Sequence, residues 1–125
     1  MTSKLVLTAT AILIGAIGLG WLLAPDMMGN FWRIGPGDNL NYMGHRYGAL
    51  LLGLAAGAFL ARNAPNTKAR RALMSGAFVA LAISTAISVY GAVALALNAW
   101  PAVIIESALL VGFLWVLFIK PEPVV

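Results

Sequence analysis

Glu106 lies in the run WPAVIIESALLVGFLWVLFIK and is the only acidic residue in any apolar stretch of the chain. A charge in hydrocarbon is costly, so such a residue calls for a counter-ion, a hydrogen-bonding shell or a wet cavity. Arg46, at the head of the second apolar stretch, is the obvious counter-ion. Asn41 and His45 precede it at a spacing of four, which puts those two on one helical face. Tyr90 lies on a third stretch. These side chains suit a definite kind of chemistry. Glu106 and His45 can act as acid and base, and Arg46 can hold an oxyanion or a carbonyl. Asn41 and Tyr90 add hydrogen bonds to a bound molecule.

Each of these residues also has a plainer reading. The Arg46–Glu106 pair can be a buried salt bridge that locks two helices together, costly to break from one side even if it adds little to stability. Arg46 can instead snorkel outward to lipid phosphates. His45 fits a hydrogen bond to Glu106 or to a loop carbonyl better than a metal. Tyr90 can be a core tyrosine with a satisfied hydroxyl.

The elements that carry these residues follow from composition. The 125 residues are 62% apolar and 10% charged, with a mean hydropathy of +0.92. Soluble domains carry about a quarter charged residues. The chain is therefore read as an integral membrane protein. It has no cysteine, which excludes disulfide and thiolate chemistry, and its single histidine excludes a two-histidine haem within one chain. The net charge of +4 reads as membrane topology, not as a nucleic-acid footprint. No metal site and no firm cofactor are expected.

Four apolar segments, at about 5–23, 40–61, 72–97 and 101–119, are each near the ~20 residues that span a bilayer. They predict one domain over 1–125, an all-α, antiparallel four-helix bundle. Lys4 and the long apolar run behind it lack a clear cleavage signal, so the first segment is expected to be a retained helix. Asn98 and Pro101 suit the cap and first turn of the last helix. Lys4, Arg62, Lys68, Arg70, Arg71 and Lys120 fall on one side, which places both termini in the cytoplasm. Small residues run at intervals of four through the third segment (Gly76, Ala80, Ser84, Ser88, Ala92, Ala96). GxxxG steps occur at Gly44/Gly48 and Gly53/Gly57. Such stripes let membrane helices pack closely, and one of them can serve a homodimer.

Counted at 1.5 Å per residue, Arg46 lies about 9 Å, Glu106 about 7.5 Å and Tyr90 about 10 Å from the outer ends of their helices. They share a level in the outer third of the bilayer. The loop PDMMGNFWRIGPGDNLNYMG, with Met27, Met28, Phe31 and Trp32, is apolar enough to lie on the membrane surface as a lid, with Trp32 touching a ligand. The expected function is to bind, and to transform if the acid–base pair operates, a lipophilic molecule: a quinone, an isoprenoid or a lipid. The alternative is a non-catalytic accessory subunit of a larger respiratory or photosynthetic membrane complex. A proton-coupled transporter ranks third, because the inner half of the last helix has no polar residue. Expected partners are membrane lipids, other membrane subunits or further copies of the chain, and no nucleic acid.

The runs GHRYGALLLGLAAGAFLAR, RRALMSGAFVALAIS and NAWPAVIIESALLVGFLWVLF resemble a bacterial family of small four-helix membrane proteins of unknown function, loosely DoxX-like. The matching features are Arg46 with Gly48 (one place earlier than the family's Arg-x-x-Gly), the basic loop and Glu106. The resemblance covers most of the chain and implies a four-helix bundle in a bacterial inner membrane, with a quinone-linked or accessory role.

Overall fold

The computed structural model describes residues 1–35 and 37–125. The described residues form five α-helices, a terminal π-helical turn and no strand. The elements are α1 (Ser3–Leu23), α2 (Pro25–Trp32), α3 (Asp38–Ala61), α4 (Lys68–Ala94) and α5 (Trp100–Leu114), with the π turn over Trp115–Ile119. Helices α1, α4 and α5 with its π turn are long and apolar enough to cross a membrane. Four such spans were expected. Helix α3 has the length, but its opening turns carry Asp38, Asn41, His45 and Arg46, and it falls short on composition.

Local chemistry sets the ends. The Thr2 hydroxyl accepts from the Leu5 N–H at the start of α1, and the Thr67 hydroxyl accepts from the Arg70 N–H at the start of α4. Each satisfies one of the N–H groups that a helix start leaves free. Pro25 opens α2 and Pro101 opens α5, where no amide donor is needed. Part of the first loop is thus a helix, α2. Asn98 does not cap α5: the N-cap position is Ala99, without a side-chain bond. The Asn98 amide side chain donates to Phe31 O (3.0 Å) and its main-chain N–H to Trp32 O (3.1 Å). It ties the α4–α5 turn to the end of α2. Helix α4 ends earlier than expected, at Ala94. Ala96 takes a positive φ of 52°, and the Leu97 N–H returns to Gly91 O.

The long helices alternate in direction and form two close pairs. Helix α1 packs along α3 and α4 packs along α5, while α1–α5 and α3–α4 contacts are sparse. The first pair closes on glycines. A Cβ built on Gly48 would lie 2.7 Å from Gly18 O, and one on Gly18 would lie 3.1 Å from Gly48 O, so the two backbones cross almost in contact. Small residues at such crossings are how membrane helices approach. Gly53 and Gly76, by contrast, face open space.

The core fills the end that holds both termini. Leu7, Met74, Leu81, Leu109, Phe113, Val116 and Leu117 are buried together there. The outer surface is apolar too: Ile12, Leu50, Leu60, Ile83, Ile87, Ile104 and Val111 are all exposed. An apolar surface of this extent needs apolar surroundings. At the same end, the chain's last residues fold back. Glu122 accepts from the Ser3 N–H (2.8 Å) and the Ser3 hydroxyl (2.6 Å), and Arg70, 6% exposed, donates to the Ser3 hydroxyl at 2.9 Å. Arg70 also donates to Ala61 O and Arg62 O, and Asn66 donates to Glu122 O and Pro123 O. Arg71 reaches Leu117 O in the π turn at 3.2 Å, one of the terminal carbonyls that a helix end leaves free.

Candidate functional site

Glu106 faces α4, not Arg46. Its residue is 5% exposed. The Ser84 hydroxyl donates to Oε1 at 2.6 Å and the Ser88 hydroxyl to Oε2 at 2.9 Å. Ser84 and Ser88 are one helical turn apart, so both reach one carboxyl on the antiparallel neighbour. Tyr47 of α3 lines the same cavity as Glu106. Its edge meets Trp21 of α1, with ring centroids 6.1 Å apart.

The expected Arg46–Glu106 ion pair does not form. Among the described residues the one ion pair joins Arg70 to Glu122, and Arg46 is exposed. Its guanidinium donates to the Tyr42 hydroxyl (3.3 Å) and lies over the Tyr42 ring. The cause is helix geometry. Gly44 and Gly48 turn one face of α3 against α1, and Arg46 lies roughly 200° round from Gly44 at 100° per residue. It therefore points away from the bundle. Helices α3 and α5 are also not neighbours, so depth alone does not bring the two residues together.

The other candidates divide. Tyr90 and Trp32 line the same cavity as Glu106; Asn41, His45 and Arg46 do not. His45 Nδ1 lies 2.9 Å from Leu22 O, at the end of α1. The Asn41 carbonyl oxygen and the Trp32 indole N–H are buried without a hydrogen-bond partner. Among the described residues no cluster of His, Asp and Glu could hold a metal ion. Ser84 and Ser88 stood in the sequence as members of a small-residue stripe, and Tyr47 as a neighbour of Arg46. Their signal was hydroxyl chemistry at a four-residue spacing, opposite a carboxyl otherwise alone.

Beside Glu106 lies a cavity of about 380 Å³, walled by Ile14, Ile17, Trp21, Tyr47, Leu51, Ile87 and Ala102. That is within the range of small-molecule sites. Its polar groups are few: the Glu106 carboxyl, the Ser88 hydroxyl, the hydroxyls of Tyr47 and Tyr90 and the indole N–H groups of Trp21 and Trp32. Tyr90 is 60% exposed, so it stands at the mouth. A second cleft, of about 420 Å³, lies between α1, α2 and α5 and is lined by Met27, Met28, Phe31 and Ile105; Ile17 and Trp32 line both spaces. A fixed carboxyl at the inner end of an apolar hollow can orient a long apolar molecule by its head.

Compared with known proteins, the chain matches no family model, no curated protein and no solved structure. The DoxX-like resemblance rests on its motifs alone.

Proposed function

We propose that this protein is a multi-pass protein of the bacterial cytoplasmic membrane that binds a lipophilic molecule in the cavity beside Glu106. The carrying observation is the position of a buried, serine-held carboxyl at the edge of an otherwise apolar hollow. Long apolar molecules need such walls, and a single oriented polar group sets which way they lie. A quinone, an isoprenoid or a lipid enters from the membrane between α3 and α4, past Tyr90. In this reading α3 makes a fourth crossing alongside α1, giving a DoxX-like four-helix bundle. The end bearing Lys4, Arg62, Lys68, Arg70, Arg71 and Lys120 faces the cytoplasm, as the positive-inside rule requires.

The test is photolabelling of the full chain in lipid nanodiscs with a diazirine-bearing fatty alcohol. Adducts are expected on Ile17, Leu51 or Tyr90, and Ala102→Phe, which fills the hollow, should suppress them. Labelling spread evenly over the lipid-facing surface and indifferent to Ala102→Phe would overturn the reading.

An accessory subunit is the second reading. The observation that favours it is the exposed apolar face of α4 (Val79, Ile83, Ile87, Val93), which another membrane chain can cover as well as lipid can. Purification in mild detergent with a fixed stoichiometry of other chains would support it.

A further inference from the structure

Among the described residues Glu106 is the only ionisable acid or base other than tyrosine lining the cavity, and no cation stands at ion-pair distance from it. Arg46, which would have made the hollow neutral or positive, points outside it. The two serine hydroxyls occupy one acceptor site on each carboxyl oxygen. A carboxylate offers about four such sites, so roughly two remain for a ligand. The walls include the rings of Trp21, Trp32, Tyr47 and Tyr90. Aromatic faces attract cations, most strongly where water is excluded.

From these observations we infer that the cavity selects lipophilic molecules with a positively charged head, a long-chain amine or quaternary ammonium. This rests on the binding role proposed above and specifies its ligand class. The ammonium sits against Glu106 and completes the ion pair that the chain itself leaves open. The tail lies along Ile14, Ile17 and Leu51 toward the opening. A carboxylate or phosphate head is disfavoured, because it would meet the Glu106 carboxylate with no arginine or lysine in the lining to offset it. A neutral head gains only a hydrogen bond.

The experiment uses the full chain in nanodiscs of zwitterionic lipid, with dodecyltrimethylammonium, 1-dodecanol and dodecanoate competing against the photoreactive alcohol. The ammonium is expected to compete roughly ten-fold or more better than the alcohol, a difference of about 1.4 kcal/mol, with dodecanoate weakest. In Glu106→Gln the ratio of ammonium to alcohol competition should fall to about one. Equal competition by ammonium and alcohol in the wild type would overturn the inference and leave the binding role intact. A preference that survives Glu106→Gln would do the same. Failure of all three to protect any cavity residue would remove the binding role and the inference with it.

Discussion

Glu106 on α5 takes a 2.6 Å hydrogen bond from the Ser84 hydroxyl on α4, and this contact, with the Ser88 bond beside it, replaces the ion pair expected with Arg46. It joins the two helices whose packing forms one half of the molecule. Hydrogen bonds between membrane helices average about 0.6 kcal/mol and reach about 1.7. The double substitution Ser84→Ala/Ser88→Ala is expected to cost about 1–3 kcal/mol, measured by steric trapping or thermal melting in a fixed detergent.

Arg46→Met is expected to be nearly silent for stability, within about 0.5 kcal/mol, because Arg46 is exposed and bonded only to Tyr42 on its own helix. Breaking a buried ion pair from one side would instead cost about 3–5 kcal/mol. The same melting measurement separates the two, and a loss in the upper range would restore the pairing that the fold does not make.

Gly48 and Gly53 should respond in opposite ways to the same change. Gly48→Ala drives a methyl toward Gly18 O at 2.7 Å and the Leu22 backbone N at 2.8 Å, and both are backbone that must shift. A loss of about 1–3 kcal/mol is expected, as for other overpacked sites. Gly53→Ala meets nothing within 4 Å and gains helix propensity, so it is expected to be neutral or stabilising by up to about 1 kcal/mol.

The clasp at the terminal end should open in acid. Two hydrogen bonds from Ser3, first the hydroxyl and then the main-chain N–H, with a smaller attraction from Arg70, hold the Glu122 carboxyl below the usual carboxylate range against a modest opposing effect of burial. A depressed folded value means that the stabilisation is present above the unfolded pKa, near ~4.3, and is lost as pH falls through the folded one. Hydrogen exchange at the Ser3 amide should stay slow at neutral pH and lose protection below roughly pH 4. Glu122→Gln should remove this pH response. An amide whose protection ignores both changes would show that the clasp is not formed in solution.

Much of this was legible along the chain. Apolar run length marked the helices. Pro25 and Pro101 marked two helix starts, and the clustering of basic residues marked which ends lie together. Counting 1.5 Å per residue placed Tyr90 and Glu106 at one level, and they do line one cavity. The GxxxG step at Gly44 and Gly48 also held the information that turns Arg46 outward, since it fixes which face of α3 meets α1.

Position along a helix is a one-dimensional quantity, and the amino-acid sequence determined it, together with helix content and the carboxyl's need for partners. Neighbourhood is not one-dimensional. Only the tertiary structure decided that α3 pairs with α1 and α4 with α5, that Ser84 and Ser88 meet Glu106, and that Glu122 returns to Ser3 across almost the whole chain. The physical reason is that helix pairing follows from close fit between small residues far apart in sequence. A local pattern can announce such a surface without naming its mate.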